Sequence, residues 1–452
     1  MDFQRKKVLV IGMARSGIAA TKALCQAGAC VTINDIKPEA ALKEDLRELK
    51  GLPIETRLGE QADHLVDDKD FIVISPSVPI ESSFIHRARA LKVPVYSELE
   101  LGYRMCTAPI VAITGTNGKT TTTALTGQIF IDAKRRTHVV GNIGIPFTGK
   151  VTEMTPNDIV VAEVSSFQLE AIHAFHPKVA AVLNITEDHL NRHKSMENYI
   201  AMKSRIFMNQ RENDFLVLNR DDELTAAMAE KSKSKVLFFS RKMKVENGVY
   251  LDAGKIVLSL DEQNQVICLA EEIGIPGVHN LENALAAVAI AAVMGVTAED
   301  IVYTLRTFAG VEHRLEFVKE LDGIRFINDS KATNPEASIK AIEAMNRPTL
   351  LIAGGMDKGS DFTGFVDAFG EKIKALLVLG ETAEKIIQTA ESKGFRSVYH
   401  VSTIGEAVRK AYEMAKPGWN VLLSPACASW DMFKDFEERG RVFKDAIHNI
   451  RR

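Results

Sequence analysis

The sequence lacks the long apolar segments that mark secreted and membrane proteins. Its longest uncharged run, 283–298, is shorter than the ~20 residues that a helix needs to span a bilayer, and we expect it to form a buried helix. The N-terminal stretch MDFQRKKVLVIG is charged and then becomes strand-like, without the apolar region and small-residue cleavage site of a signal peptide. The sequence therefore predicts a cytoplasmic protein without membrane insertion.

Metal-type cysteine pairs and a large net charge are also missing. The five cysteines are scattered and form no CxxC ligand pair, so we expect all of them to be reduced core residues. The formal net charge of −3 provides no general attraction to nucleic acid or to an anionic membrane. We therefore expect no nucleic-acid partner.

Short β-branched runs recur along the chain, and helical patterns alternate with them. The runs are continuous rather than alternating, which is typical of strands buried on both faces of a parallel sheet. They span 8–12, 31–35, 71–75, 110–114, 159–164, 180–185, 349–354, 376–380 and 420–424. This pattern predicts an α/β fold, and a length of 452 residues predicts about three domains. We place the domains at 1–108, 109–310 and 311–452.

A glycine-rich loop with a lysine follows the strand predicted at 110–114. The loop TGTNGKTTTT lacks the first glycine of G-x-x-x-x-G-K-[ST], because Ile113 occupies that position. The amides of Gly115–Lys119 can still surround phosphates, with Lys119 reaching the outer ones and Thr120 giving its hydroxyl to Mg²⁺. Because a strand precedes the loop and a helical pattern follows it, we prefer a P-loop to a threonine-rich turn.

Acidic and imidazole side chains follow two later strands of the same segment. Glu163 ends a buried strand, where an acid is costly unless it is paired or metal-bound. In a P-loop protein, an acid at a later strand end is the expected Mg²⁺ partner, although a helix-capping role stays open because two serines follow. NITEDHLNRH carries two histidines, of which one is expected at the surface. His189, directly past a strand, is the better candidate for a metal shell.

The first segment contains half of a dinucleotide-binding fingerprint. VLVIGMARSG provides Gly12 and Gly17 at a strand-to-helix turn, but Ala14 replaces the middle glycine of G-x-G-x-x-G. A helix N-terminus there can hold a diphosphate, and Asp35 can accept hydrogen bonds from a base or ribose. A plain turn explains the glycines equally well. On this segment alone, a NAD-dependent oxidoreductase remains an alternative.

Polar side chains also cluster at a helix start and at three further strand ends. Asn280 and Asn283 are three residues apart and share a helix face, where base recognition or capping would explain them. The segments 326–337, 354–362 and 424–440 each follow a predicted strand and are rich in polar groups. Because ligands gather at the carboxyl ends of parallel strands, we expect these three segments to share one crevice.

Taken in chain order, these motifs resemble those of the Mur ligase family of peptidoglycan synthesis. The matching stretches are GTNGKTTT, EVSSFQLE, NITEDHL, HNLENALAA, NDSKATN and SPACASWDMFKDFEERG. The combination of SSFQLE, NDSKATN and SPACAS-x-D-x-F is most similar to the branch that adds D-glutamate to UDP-N-acetylmuramoyl-L-alanine. Branches that add L-alanine, a diamino acid or the final dipeptide, and folylpolyglutamate synthase, share the loop but resemble the last segment less.

The resemblance implies an ATP-dependent amide ligase that works through an acyl phosphate and releases ADP and phosphate. It implies a Rossmann-like first domain that binds the UDP precursor, a central P-loop ATPase-type domain with a mostly parallel sheet, and a Rossmann-like C-terminal α/β domain that binds the amino acid. The catalytic residues it implies are Lys119, Glu163, His189 and Lys203. Two Mg²⁺ ions would be held by Thr120, Glu163, His189 and Lys203, the last as a carbamate formed with CO₂.

The same resemblance assigns the substrate contacts. ATP would be held by Gly115, Thr116, Asn117, Gly118, Lys119, Thr120, Thr121, Asn280, Asn283, Arg314 and Asp329. The UDP-muramoyl substrate would contact Arg15, Ser16, Asp35, Lys37, Ser75, Ser77 and Asn142. D-glutamate would contact Lys331, Thr333, Lys358, Ser429 and the backbone at Phe436.

Two other classes of protein remain as alternatives to a ligase. The nicotinamide oxidoreductase gives the GTNGKT loop no purpose. A P-loop switch or motor protein that hydrolyses nucleotide to drive partner binding leaves the NDSKATN and SPACAS segments unexplained.

Overall fold

The computed structural model describes residues 2–142, 144–275 and 277–450. They form two compact units, Met1–Phe308 with two sheets and Ala309–Arg452 with one. Helices flank the sheets, and most neighbouring strands are parallel, so the α/β prediction is confirmed. Each sheet lies within one of the three segments expected from the sequence, whereas the domain boundaries themselves stay a prediction.

The first sheet is entirely parallel, in the order β3-β2-β1-β4-β5. Its strands are β1 Lys7–Ile11, β2 Cys30–Asp35, β3 Ile54–Leu58, β4 Phe71–Ile74 and β5 Val95–Ser97, with helices α1 Arg15–Gln26, α2 Lys43–Arg47, α3 Ser83–Ala90 and α4 Glu98–Met105. The chain adds β2 and β3 on one side of β1 and then crosses over to add β4 and β5 on the other side, so the strand order reverses between β1 and β4. In parallel α/β sheets, ligands commonly bind outside the carboxyl ends of the strands at such a point.

The second sheet has nine strands in the order β14-β13-β12-β11-β10-β9-β6-β8-β7. The strands are β6 Ile110–Thr114, β7 Thr137–Gly141, β8 Ile159–Glu163, β9 Val179–Val182, β10 Phe215–Asn219, β11 Lys235–Ser240, β12 Gly248–Asp252, β13 Lys255–Leu260 and β14 Gln263–Leu269. The helices are α5 Lys119–Asp132, α6 Ser166–Leu169, α7 Leu190–His193, α8 Met196–Ser204, α9 Glu223–Ala226, α10 Val278–Val293 and α11 Ala298–Thr307. The sheet is parallel from β7 to β12 and antiparallel from β12 to β14.

Strand β6 shows why its sequence is continuously apolar. Val111 and Ile113 enter a core cluster with helices α5 and α10, while Ile110 and Ala112 enter the cluster on the opposite face. Both faces are covered, so every side chain of the strand is buried. The uncharged run 283–298 begins within α10, whose residues 284–291 are fully buried, as expected. No helix in the described part of the chain is long and apolar enough to cross a membrane.

The second unit contains a six-stranded sheet in the order β15-β16-β20-β17-β18-β19. The strands are β15 Glu316–Leu321, β16 Ile324–Asn328, β17 Thr349–Gly354, β18 Ile373–Leu379, β19 Val398–His400 and β20 Asn420–Leu423. The helices are α12 Pro335–Ala344, α13 Thr363–Asp367, α14 Ala383–Ser392, α15 Ile404–Met414 and α16 Phe436–His448. Only the pair β15–β16 is antiparallel. Because β16, β20 and β17 are parallel neighbours, the three polar loops that follow them lie side by side, as predicted.

Candidate active site

The P-loop joins β6 to α5, and its backbone requires glycine. Gly118 caps the helix with φ +81°, and a Cβ there would lie 2.3 Å from Asn283 Oδ1. Lys119 begins the helix and folds back over the loop, where its Nζ donates to the carbonyls of Gly115 and Thr116 at 2.9 Å each. The lysine ammonium is therefore held at the loop that precedes the first turn of α5, where amides and helix dipole favour an anion.

Helix α10 reaches the same loop through its first turns. Asn283 Oδ1 accepts a hydrogen bond from Thr122 Oγ1 at 3.1 Å, and Asn283 Nδ2 donates to Asn280 Oδ1 at 3.3 Å. The two asparagines share a face, as their spacing predicted. They connect the start of α10 with α5, so this part of the expected ATP set is brought together.

Lys203 lies beneath the P-loop. It is only 2% exposed, its Nζ donates to Gly115 O at 2.8 Å, and it lies 4.7 Å from the ring centre of Tyr199. Burial lowers the pKa of Lys203 well below its usual value, and the nearby ammonium of Lys119 adds to the effect. An ordinary helix lysine would instead extend into solvent. Sequence reasoning gave Lys203 a role only through the family resemblance.

Glu163 ends β8 in a buried position, with 2% of its surface exposed. Asn142 Nδ2 donates to Glu163 Oε1 at 3.1 Å, and the Asn142 amide donates to the Glu163 carbonyl at 2.8 Å. The helix-capping alternative is wrong, because Ser165 caps α6 by accepting from Gln168 N. A buried carboxylate and the hydroxyl of Thr120 are hard oxygen donors, which fit Mg²⁺.

The two histidines of NITEDHLNRH occupy different environments. Strand β9 ends at Val182, so the expectation that His189 directly follows a strand is wrong; it lies in a longer loop with φ +54°. Its side chain is 48% exposed and lies 3.4 Å from Asp188. His193 is buried and hydrogen-bonded to Ser166 Oγ at 2.9 Å, so the surface histidine is His189. Burial lowers the pKa of both imidazoles.

Most residues expected to hold UDP lie at or just after the ends of β1, β2 and β4. Asp35 accepts hydrogen bonds from the amides of Met13 and Lys37 at 2.8 and 2.9 Å. Ser75 Oγ donates to Gly12 O at 2.8 Å. Asp35 and Ser75 thus fix the loop at the start of α1, the helix that begins with Arg15 and Ser16. Gly17 serves packing, because a Cβ there would lie 1.9 Å from Gly12 O.

Arg192 is a residue that the sequence analysis missed. Its guanidinium donates to Val78 O at 2.8 Å and to Ser77 O at 3.4 Å, in the loop after β4. It also forms an ion pair with Glu170, close to α6. Arg192 therefore connects the loop expected to bind UDP with the segment that follows Glu163. Nothing in its local sequence distinguishes it from a surface arginine.

In the second unit, Asp329 follows β16 and is buried. Ser424 Oγ lies 2.8 Å from Asp329 Oδ2 and 2.8 Å from Ser338 Oγ, while the Leu315 amide donates to Asp329 Oδ1 at 3.2 Å. Burial raises the pKa of Asp329 to about 7, although Ser424 and the nearby Arg314 act in the opposite direction. Asp329 and Arg314 are therefore electrostatically coupled within this unit.

Arg439 joins two of the polar loops and was also missed. Only 2% of its surface is exposed, and its guanidinium donates to the carbonyls of Ser330 at 2.7 Å and of Cys427 at 3.0 Å. Burial lowers the pKa of Arg439 to about 10. Ser330 Oγ also donates to the Phe436 carbonyl at 2.8 Å, which ties the start of α16 to the same loops. Arg439 stands in DFEERG, at the end of the last stretch that resembles the family. The polar composition of this stretch gives no sign that the arginine is buried.

The remaining residues expected to bind D-glutamate lie on the same three loops. Lys331 and Thr333 follow β16, Lys358 follows β17, and Ser429 follows β20 and is buried. The ammonium of Lys358 lies 4.3 Å from the ring centre of Trp430. These loops therefore carry two lysines, whose positive charges suit an anionic ligand.

The first unit thus carries a P-loop with a buried acid at the end of a neighbouring strand, and the second carries lysines on the loops at its strand ends. Such a combination is typical of the nucleotide-dependent α/β proteins. Family models describing the Mur ligase MurD-like N-terminal domain, the Mur ligase middle domain and the Mur ligase glutamate ligase domain match residues 6–97, 113–291 and 313–427. The chain belongs to the Mur ligase family.

Full-length relatives refine this assignment. The chain is 51% identical to a protein of Caldanaerobacter subterraneus subsp. tengcongensis, with 100% of both chains covered. It is 48% identical to one of Clostridioides difficile, again with 100% of both covered. Both relatives are named UDP-N-acetylmuramoylalanine–D-glutamate ligase.

Solved structures agree on the fold. The UDP-N-acetylmuramate–alanine ligase MurC of Thermotoga maritima matches with a TM-score of 0.63 and 20% identity, covering 99% of this chain and 100% of that one. MurF of T. maritima in complex with ADP matches with a TM-score of 0.57 and 16% identity, covering 93% and 95%.

Proposed function

We propose that the protein is an ATP-dependent ligase that joins D-glutamate to UDP-N-acetylmuramoyl-L-alanine in peptidoglycan precursor synthesis. One observation carries the proposal: the chain matches ligases of this name from end to end, at 51% identity. The P-loop of the first unit would supply the phosphoryl site that this reaction requires, and the basic strand-end loops of the second unit would supply the amino-acid site.

The chemistry explains why a P-loop is needed. A carboxylate does not form an amide directly, because oxide is a very poor leaving group. Transfer of the ATP γ-phosphoryl group to the L-alanyl carboxylate gives an acyl phosphate and ADP. During this transfer, the ammonium of Lys119 would offset negative charge on the phosphoryl group. The neutral amine of D-glutamate attacks the acyl carbon and a C–N bond forms. Phosphate leaves with the C–O bond electrons, and the nitrogen loses one proton to give the amide.

Two Mg²⁺ ions would be held by residues around the P-loop. Thr120 and Glu163 would hold one, and His189 with a carbamate on Lys203 would serve the second. When bound, Mg²⁺ supplies positive charge that stabilises the phosphoryl group in transfer. The lowered pKa of Lys203 supports the carbamate, because only a neutral amine adds to CO₂, with loss of one proton.

The remaining proposed contacts concern the UDP-muramoyl substrate, ATP and the amino acid. Asn142, which anchors Glu163, would contact the muramoyl group, and the loops after β1, β2 and β4 would hold UDP. ATP would contact Gly115–Thr121, Asn280 and Asn283 in the first unit, and Arg314 and Asp329 in the second. The amino acid would contact Lys331, Thr333, Lys358, Ser429 and the backbone at Phe436.

We further propose that the enzyme works as a monomer in the cytoplasm. All five cysteines are free in the structure, which agrees with a reducing compartment. The expectation that all of them are core residues is wrong, because Cys30 is exposed and Cys25 and Cys106 are only partly buried. Size-exclusion chromatography with light scattering tests the monomer, and a mass near 49.8 kDa is expected. A mass twice as large would contradict it.

The decisive assay supplies ATP, Mg²⁺, UDP-N-acetylmuramoyl-L-alanine and D-glutamate, and measures ADP together with the amide product. Product with another amino acid and its matching precursor, but none with D-glutamate, would assign the chain to a sister ligase. ATP hydrolysis without an acceptor would favour a P-loop switch, and NAD(H) binding would favour an oxidoreductase. In the same assay, Lys119→Ala should abolish ligation but leave binding of the UDP precursor largely intact, since most of the loops proposed to hold UDP belong to the first sheet and not to that of the P-loop.

A further inference from the structure

Trp430 is an exposed tryptophan in the loop after β20. Its relative exposure is 63%, although large aromatic side chains usually bury most of their surface. The ammonium of Lys358, in the loop after β17, lies 4.3 Å from the centre of its ring. This distance is within the range of a cation–π interaction. The indole therefore lies beside Lys358, which is one of the two lysines that would contact D-glutamate under the proposed function.

Backbone contacts hold the two loops against each other. The Met356 amide donates to the Ala428 carbonyl at 3.0 Å, which forms an isolated β-bridge between the loops. Asp431, next to the tryptophan, accepts a hydrogen bond from the Glu381 amide at 3.1 Å, in the loop after β18. The positions of Lys358 and Trp430 are thus set by neighbouring main chain and not by the two side chains alone.

The acid nearest in sequence to Lys358 is engaged elsewhere. Asp357 accepts a hydrogen bond from the Gly359 amide at 2.8 Å and lies 3.5 Å from Lys385 Nζ. In the described part of the chain, Lys358 has no carboxylate within ion-pair distance, and its ammonium lies over the indole. An acid in the place of the indole would neutralise Lys358 and repel a dicarboxylate, whereas an aromatic face orients the lysine and leaves its charge available.

We propose that Trp430 is a positioning residue that orients Lys358 toward a carboxylate of the amino-acid acceptor, and so sets the affinity for that substrate. This inference rests on the proposed function. Trp430 itself takes no part in phosphoryl transfer or amide formation. Its loss should therefore raise KM for D-glutamate and leave kcat and the KM values for ATP and the UDP precursor unchanged.

The test compares Trp430→Leu, Trp430→Phe, Lys358→Met and the double variant Trp430→Leu/Lys358→Met. An exposed cation–π contact corresponds to about a two- to five-fold change in affinity, so Trp430→Leu should raise KM for D-glutamate by about that factor. Trp430→Phe keeps an aromatic face and should restore most of the affinity. In the Lys358→Met background, loss of the indole should have no further effect, because the tryptophan acts through the lysine.

Tyr399→Leu is the matched control, since Lys410 Nζ lies 4.5 Å from the Tyr399 ring centre in the same unit but on the edge strand β19. It should leave KM for D-glutamate at the wild-type value. An unchanged KM in Trp430→Leu, or an equal increase with and without Lys358, would overturn the proposal. Failure of the proposed function is distinguishable, because the wild-type enzyme would then form no amide with D-glutamate at all.

Discussion

Asp329 should make the stability of the second unit fall as the pH rises. Burial raises its pKa to about 7 in the folded chain, against ~3.9 in an unfolded one. The folded state therefore holds a proton that the unfolded state has lost, and unfolding becomes easier with pH until the folded pKa is passed. Each pH unit between these values removes about 1.4 kcal/mol from the free energy of unfolding. Between pH 5 and pH 6.5, Asp329 should therefore lower the free energy of unfolding by about 2 kcal/mol.

Asp329→Asn should remove this dependence. An asparagine can accept from the Leu315 amide and donate to Ser424 Oγ, which can then donate to Ser338 Oγ, 2.8 Å away. The substitution thus keeps the hydrogen-bond network and removes only the charge. Asp367, an exposed acid of the same unit, provides the control Asp367→Asn, which should leave the pH dependence unchanged.

Urea unfolding followed by tryptophan fluorescence measures this effect in the intact chain. The only two tryptophans, Trp419 and Trp430, both lie in the second unit, so the signal reports that unit specifically. The difference in unfolding free energy between wild type and Asp329→Asn should shift by about 2 kcal/mol from pH 5 to pH 6.5. Parallel curves would refute the reasoning, because they would mean that Asp329 is already ionised at pH 5.

Gly118→Ala should raise KM for ATP and lower the melting temperature, because the new Cβ would meet Asn283 Oδ1 at 2.3 Å and a left-handed alanine costs about 1–2 kcal/mol; a wild-type KM would count against the loop geometry. Lys203→Ala should abolish ligation, and short carboxylates such as acetate should restore part of it if a carbamate is the active form. Wild-type activity without added carboxylate would dismiss that role. Arg439→Met should destabilise the second unit by about 1–3 kcal/mol for each buried carbonyl left without its donor, measured by urea unfolding, and an unchanged midpoint would contradict it.

Local sequence predicted a large part of the fold. Continuous apolar runs such as 110–114 identified many of the parallel strands, because a strand covered on both faces needs apolar side chains at every position. The parallel strands β10 and β11 were missed, and so were β12–β14. The last two of these form an antiparallel edge, and β14 is mostly exposed. Only sheet order, which depends on contacts between distant segments, shows which strand ends are neighbours.

The candidate site also combines features that local sequence predicts with features that only packing decides. The sequence by itself determined the P-loop, because the glycines, Lys119 and Thr120 act within one short turn. Only the tertiary structure joined Thr122 to Asn283, which is 161 residues away, and buried Arg439 against two loops. Burial and long-range hydrogen bonds arise where separate segments meet, so the lowered pKa of Lys203 and the raised pKa of Asp329 depend on packing that no local pattern contains.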